Sequence, residues 1–443
     1  MISRIIKYFF IEFFIFLRIN LIFQLVTFIR AFAILVLIVM NFKFSELVGY
    51  MKPSEIRELL KFASSPDLIS LGGGMPNPDT FPIDEIQEII TYVLKNSGKY
   101  ALQYGNTGGL NELRTEIKKL IKGTENIDSE EKGIIVTSGS QQALYSLGKI
   151  LVTPGETAIT EAPTYVGAIS AFNANGVDMQ GIPMDENGMR IDLLEKKLSE
   201  LKAKGIKPKF IYTIPNYQNP AGYTMSLDRR KRLLEISNEN EIPIIEDNPY
   251  GELRYHGPRI PTIRSLDRDG NVIYLGTLSK VMTPGLRIGY TVGPVSVIDK
   301  INILKQALDL ATNTLAQYIA YEYLKRGIIY KQVPKTIKLY SRKLDLMLKA
   351  LDEYFPEGST WSKPNGGMFI WATLNESLDT TAMVGRAIKN NVAYVSGSAF
   401  YPKGEKKNSM RLNFTYPEDD QIPVAIDRLS KVIREEESLA EAK

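Results

Sequence analysis

Cysteine is absent from the 443 residues, and His256 is the only histidine. The first absence excludes a disulfide scaffold, a thiolate nucleophile and any cysteine-ligated metal or cluster. The second nearly excludes histidine-rich metal sites and Ser-His-Asp triads. His256 itself stands in Tyr255-His256-Gly257-Pro258, which reads as a turn with no catalytic role. A surplus of one charge is also missing: 54 basic against 50 acidic residues leave a formal net charge of +4. No basic block occurs, so nothing points to nucleic acid. There is no internal repeat and no low-complexity linker. Chemistry here must therefore run on Lys, Tyr, Asp and Arg, or on a cofactor.

Long uncharged apolar runs are missing too, even from the N-terminus, where they come closest. Residues 1–42 are strongly apolar, but Glu12, Arg18 and Arg30 interrupt them. A spanning helix needs about 18 apolar residues with few or no charges. No small-residue cleavage site stands out, so a secretory signal is not indicated. Three readings remain. The stretch is a membrane anchor, an amphipathic or packed extra helix, or translated upstream sequence ahead of a functional start at Met40 or Met51. The last is preferred, and fold reasoning begins near residue 41.

From there, short β-branched runs alternate with helical patterns. The runs are 133–136, 157–160, 209–214, 242–246, 272–275 and 287–292. Helical patterns at 141–151 and 228–239 lie between them. Such alternation predicts an α/β fold with a mostly parallel sheet between helices. From about residue 325 a helix is expected over 330–354, followed by strands at 367–372, 392–395 and 409–414. That predicts a smaller α+β C-terminal domain.

The polar residues gather where these strands end, and open α/β sheets bind ligands outside the carboxyl ends of their strands. Ser138-Gly139-Ser140-Gln141-Gln142 follows the first run and leads into a helix, an arrangement suited to a phosphate. Later strand ends carry Tyr165, then Asn216 to Gly222, then Glu246-Asp247-Asn248-Pro249-Tyr250, then Thr277-Leu278-Ser279-Lys280. Singly, each has a plainer reading. Ser140 is then a helix cap, Asn219-Pro220 a turn, Asp247 a cap or surface carboxylate, Lys280 a solvated lysine, and the tyrosines core or surface aromatics. Together, phosphate donors, an aromatic, an amide, a carboxylate with a phenol and an amine would share one rim.

The segments SLGGGMPNPDTFP (70–82), ALQYGNTGGLNELR (101–114), TSGSQQAL (137–144), PNYQNPAG (215–222), IIEDNPYGEL (244–253), GTLSKVMTPGLRIGY (276–290), NGGMFIW (365–371) and RLNF (411–414) resemble aminotransferases of pyridoxal-phosphate fold type I. The likeness is to the class I/II branch that holds 2-aminoadipate, kynurenine and archaeal aromatic aminotransferases, and it covers about residues 50–430. It implies a large domain over 81–325 with a mostly parallel seven-stranded sheet, a small domain over 326–443, and an arm over 43–80 that joins the small domain. The cofactor implied is pyridoxal 5'-phosphate. Lys280 would be its Schiff-base lysine and Asp247 the partner of its ring nitrogen. Asn219 and Tyr250 would bond the ring hydroxyl oxygen, and Tyr165 would stack on the ring. Ser140, Gln141, Thr277, Ser279 and Arg287 would hold the phosphate. Tyr104 resembles a phosphate ligand lent by a second subunit, which implies a homodimer with shared sites. Arg411 would clamp the substrate carboxylate, with Gly73 and Asn219 beside it. Asn248 departs from relatives that carry a second aspartate there, while Asp247 keeps the position that matters.

The implied reaction is a ping-pong transfer from an L-amino acid (aromatic, 2-aminoadipate or branched-chain) to a 2-oxo acid, with 2-oxoglutarate as acceptor. Lys280 would act as general base. A β-lyase, decarboxylase or cyclopropane-carboxylate synthase would use the same lysine, aspartate and tyrosines. An aminotransferase-like transcription regulator would need a DNA-binding domain where apolar residues stand. A cytoplasmic enzyme is expected, with membrane contact only if residues 1–42 are part of it. Arg57, in a helix that Ser54 would cap, reads either as a solvent-facing arginine or, by the resemblance, as a movable cation for a distal substrate carboxylate.

Overall fold

The structure is a computed structural model and describes residues 42–51 and 67–441. The apolar stretch through residue 41 and the segment holding Ser54 and Arg57 lie outside the described residues. Among the described residues, no helix is long and apolar enough to cross a membrane.

A two-residue strand β1 (Ile69–Ser70) precedes the large sheet. That sheet comprises β2 (Ile134–Ser138), β3 (Thr157–Ala162), β4 (Asp178–Asp185), β5 (Gly188–Met189), β6 (Ile211–Thr213), β7 (Ile244–Asp247), β8 (Val272–Thr277) and β9 (Ile288–Val292). Their order is β2-β9-β8-β7-β6-β3-β4-β5. β4, β3, β6, β7 and β8 pair in parallel. β9 runs antiparallel to both β2 and β8. The seven expected strands are therefore present, and the two-residue β5 adds an eighth by folding back on β4.

Why these segments form strands is visible in where their side chains go. Successive residues point to opposite faces, and helices cover both faces, so the strands are apolar runs without polar alternation. Ile134 and Val136 pack with helices Ile83–Ala101, Asn111–Glu125 and Thr314–Lys325. Ile135, between them, packs on the other side with helices Ser140–Leu151, Val166–Asn173 and Val295–Leu308. Ile244 and Val272 face a third cluster, which includes helices Ile191–Ala203 and Leu227–Asn240.

The chain after residue 325 forms a second sheet. Strands β10 (Thr360–Trp361), β11 (Phe369–Thr373), β13 (Val395–Ser396) and β14 (Ser409–Asn413) pair in the order β10-β11-β14-β13, all antiparallel. β12 (Val392–Ala393) instead pairs in parallel with β1, which brings residues 69–70 to this part of the molecule. Helix Ile329–Tyr354 belongs to two cores. Ile329 and Val333 pack with the large sheet's helices. Tyr340, Leu344, Met347 and Leu351 pack under the small sheet with helix Gln421–Glu441.

Candidate active site

β7 ends in Asp247, which is 2% exposed. One carboxylate oxygen accepts a 2.9 Å bond from the Tyr212 hydroxyl on neighbouring β6. The other, Oδ1, is buried with no partner. Burial pushes the carboxyl up to about 7, and Tyr212 opposes that shift. Asp247 is thus neither a helix cap nor a surface carboxylate.

β8 runs into Thr277-Leu278-Ser279-Lys280. The Thr277 hydroxyl accepts from the Ser279 backbone N–H at 3.1 Å, and the Leu278 N–H donates to Ile288 O at 3.0 Å. These bonds turn the chain sharply at the strand end and fix the base of Lys280. Its amine donates to Gly74 O at 2.8 Å. Burial, helped by the positive charges of Arg411 and Arg287, lowers Lys280 to about 8. A solvated lysine would not show this. The amine sits where its neutral form, the nucleophile and base, is accessible near neutral pH.

Arg411 comes from β14 in the second sheet and is 1% exposed. Its guanidinium donates to Gly72 O at 2.7 Å and to the Asn219 amide oxygen at 3.0 Å. It lies 4.2 Å from the Phe369 ring centre and 5.0 Å from that of Phe400. Its Nε remains unpartnered. Asn219 also donates to the Tyr250 hydroxyl at 3.3 Å. Burial raises the Tyr250 and Tyr165 phenols, so both are neutral donors. Gly73 is held by the Asn413 side-chain amide, which donates to its carbonyl at 2.6 Å. The triple-glycine turn therefore meets Lys280 through Gly74, Arg411 through Gly72 and Asn413 through Gly73.

The Gly139–Ser140 turn lies at the end of β2. Gly139 has φ +73°, a conformation that residues with a side chain rarely adopt, and the Arg287 guanidinium lies against it. A Cβ on Gly289 would stand 2.7 Å from the Gly139 carbonyl carbon. Only a hydrogen fits on Gly289 where β9 passes the turn at the end of β2. Ser140 is the first residue of its helix, with Gly139 in the cap position. Its Oγ is buried and unpartnered, so it is not the helix cap. Arg287 has φ 56°, uncommon for a residue with a side chain. Gln141 is turned away, donating to Gly167 O at 2.8 Å. Thr277 Oγ1 and Ser279 Oγ lie 3.0 Å apart.

Most residues picked out in the sequence thus converge, but Gln141 turns away and Tyr104 does not reach them. It is 85% exposed, and within this one chain it faces none of the others. Three buried residues were missed. Tyr212 read as part of an apolar strand, though a buried phenol needs a partner for its hydroxyl. Glu161, at the end of β3, is 1% exposed, and burial raises it to about 7. It accepts from Thr213 and from Gln218, the residue before Asn219. Asn413 lies two residues past Arg411, on the same strand face.

Pyridoxal phosphate fits these residues. Its phosphate matches the helix start with an unpartnered Ser140 hydroxyl and an adjacent guanidinium. Its protonated ring nitrogen matches the unpartnered Asp247 oxygen. A parallel-sheet rim with an amine, a buried carboxylate and this turn defines a pyridoxal-phosphate enzyme of fold type I. The model of the family "Aminotransferase class I and II" matches residues 66–429, and the chain belongs to that family. It is 48% identical over 393 residues to the aromatic-amino-acid aminotransferase 1 of Thermococcus litoralis, covering 89% of this chain and 94% of that one. It is 36% identical to the 2-aminoadipate transaminase of Thermus thermophilus, over 88% of this chain and 96% of the relative. The crystal structure of a Pyrococcus horikoshii kynurenine aminotransferase matches with a TM-score of 0.87 and 46% identity, over 90% and 99% of the two chains. The chain is a pyridoxal-phosphate-dependent aminotransferase whose substrates are amino acids and 2-oxo acids.

Proposed function

We propose that this enzyme transfers the amino group of aromatic amino acids and 2-aminoadipate to 2-oxoglutarate, with Lys280 as the base that carries the proton. The observation behind the assignment is that the Lys280 amine and the Arg411 guanidinium both bond the Gly72–Gly74 turn. A substrate carboxylate on Arg411 would so present its α-carbon to Lys280. The donor range follows from the likeness to aromatic-amino-acid aminotransferase 1 and 2-aminoadipate transaminase.

When bound, the cofactor would supply an electron-poor ring as a sink for the electron pair of the broken Cα–H bond. Lys280 would hold the cofactor through its amine and, once displaced by the substrate amine, would take the α-proton and deliver it to the cofactor carbon rather than back to the substrate. Asp247 keeps the ring nitrogen protonated, and the Tyr212 hydroxyl orients that carboxylate. Asn219 and Tyr250 would bond the ring hydroxyl oxygen, and Tyr165 would cover the ring face. Ser140, Thr277, Ser279 and Arg287 would hold the phosphate, and Gln141 would join them only from a position other than its present bond to Gly167. Arg411 clamps the substrate carboxylate beside Asn219 and Gly73. The enzyme is a cytoplasmic homodimer, and each subunit lends Tyr104 to the other's phosphate. The domain division is an apolar extension over 1–42, an arm over 43–80, a large domain over 81–325 and a small one over 326–443. Arg57 meets the distal carboxylate of acidic substrates and swings aside for neutral ones.

The test is a half-reaction screen. Holoenzyme is mixed with single amino acids, and loss of the absorbance band of the lysine-bound cofactor is followed. Phenylalanine, tyrosine and 2-aminoadipate should each discharge the band and yield keto acid without ammonia. Ammonia release in step with product would point to a lyase. Arg57→Ala should lower kcat/KM for dicarboxylic substrates by about 10- to 150-fold and spare phenylalanine and leucine. Equal losses for both classes would remove Arg57 from the specificity site.

A further inference from the structure

Behind the Gly139–Ser140 turn lies an ion pair, a buried lysine with a part-exposed aspartate, that the proposed chemistry does not use. Lys305 is in the last turn of helix Val295–Leu308 and is 0% exposed. A buried ammonium must be paired. Lys305 Nζ lies 3.1 Å and 3.3 Å from the two Asp309 carboxylate oxygens. It donates at 3.2 Å to Thr312 Oγ1 and, in its shortest bond, at 2.8 Å to Gln142 Oε1. An ordinary i, i+4 pair on a helix surface would be exposed and worth little. This one reaches across to another helix.

The far side of the network is the turn itself. Gln142 Oε1, which receives Lys305, also accepts the Ser138 backbone N–H at 2.8 Å. Asp309 Oδ2 accepts from Gln142 Nε2 at 2.7 Å and from Ser138 Oγ at 3.0 Å. Ser138 is the last residue of β2, and Gln142 is in the first turn of the following helix. The two residues between which Gly139, Ser140 and Gln141 are strung are therefore both bonded to one ion pair.

We propose that Lys305 and Asp309 are positioning residues for the cofactor phosphate, holding the Gly139–Ser140 turn open at the width the phosphate requires. This rests on the reading of that turn as the phosphate seat. The ion pair does not touch the phosphate itself. It fixes the separation of the strand end from the helix start, and with it the direction of the free N–H groups and of Ser140 Oγ. The same pair reaches further, because Thr312 O accepts from Gln317, whose Oε1 accepts the Leu110 N–H at 2.7 Å. The loop that carries Tyr104 ends there.

The test compares two ligands that differ only in the phosphate. Dissociation constants for pyridoxal phosphate and for pyridoxal are measured on the cofactor-free protein by absorbance titration. The variants are Lys305→Met, Asp309→Asn and Ser140→Ala, and melting temperatures are recorded alongside. Lys305→Met and Asp309→Asn should weaken pyridoxal phosphate about tenfold or more and leave pyridoxal within about twofold. Equal weakening of both ligands, or no change for pyridoxal phosphate, would overturn the proposal. If Lys305→Met does not fold, the half-exposed Asp309→Asn decides by the same ratio. Ser140→Ala separates the two levels. If it also leaves the ratio of the two ligands at the wild-type value, the phosphate seat itself is misassigned; if it alone shifts the ratio, only the role of Lys305 and Asp309 is wrong.

Discussion

The two ends of the cofactor site are built on different physical plans. At the ring end, Asp247, Lys280 and Arg411 are charged groups taken out of water, and burial shifts each toward its neutral form. At the phosphate end, the parts are a glycine turn, three short hydroxyl side chains and an exposed arginine in a left-handed backbone conformation. One end stores electrostatic imbalance that the cofactor relieves. The other provides shape and oriented donors. Substitutions at the ring end should therefore act on the chemistry, and those at the phosphate end on affinity.

Lys280→Ala offers the strongest test of that contrast. Transamination should fall by about 10⁴-fold, the upper end of what a positioned base contributes. Borohydride should no longer fix the cofactor to the chain. If reduction still labelled another lysine, the ring end would be wrongly assembled. In the wild type, capture of the cofactor should speed up with pH around a midpoint near 8, where burial holds the amine, and not near its ordinary 10.5.

Asp247→Asn should lower kcat by about 10²–10³-fold, a typical cost of removing one preorganised electrostatic partner. It should also act on the cofactor-free protein in the opposite sense. The folded carboxyl is held near 7 against an ordinary 3.8. Stability from this group is then complete below about 4 and lost as pH rises through 7. Glu125 and Glu161, also raised to about 7, contribute in the same direction. The wild type should thus lose melting temperature between pH 4 and 8 more steeply than Asp247→Asn does. Parallel melting curves across that range would show that the carboxylate carries no burial cost.

At the phosphate end, Arg287→Gln should raise the dissociation constant of the cofactor by about 10- to 150-fold, the loss of a charged hydrogen bond. At saturating cofactor kcat should stay within a few-fold, and a collapse of kcat there would erase the division between the two ends. The smallest effect is expected for Tyr104→Phe, a loss of about tenfold or less in cofactor retention. That loss should appear only in the dimer. A catalytically competent monomer in sedimentation would remove the shared site altogether.

How much of this was legible before the structure depends on how local each signal is. Strand ends such as Thr277-Leu278-Ser279-Lys280 are local, because a β-branched run followed by small polar residues marks both the strand and its exit. β4 carries no clear strand signal in the sequence. Asp178-Met179-Gln180-Gly181-Ile182-Pro183 alternates poorly and contains a proline, which only a strand near a sheet edge tolerates. Tyr212 and Asp247 meet because β6 and β7 are parallel, with Tyr212 opposite Ile245, and no spacing in the chain encodes that neighbour. Lys305 and Asp309 stand four apart, the pattern of a surface pair. Only the packing of this helix against Ser140–Leu151 buries Lys305, while Asp309 keeps part of its carboxylate in water.

Helix Ile329–Tyr354 has 26 residues, so it runs about 39 Å. Its first turns lie in one core and its last turns in the other, with Pro334 between Val333 and Tyr340. The proline lacks the N–H that would tie it to the preceding turn, so this is the weakest point of the rod. The helix is therefore a lever shared by two bodies. Heat that melts either core releases a segment the other needs, and calorimetry of the cofactor-free enzyme should show one cooperative transition. Any swing of the second sheet against the first would be transmitted along the same rod, to move Arg411 relative to Lys280.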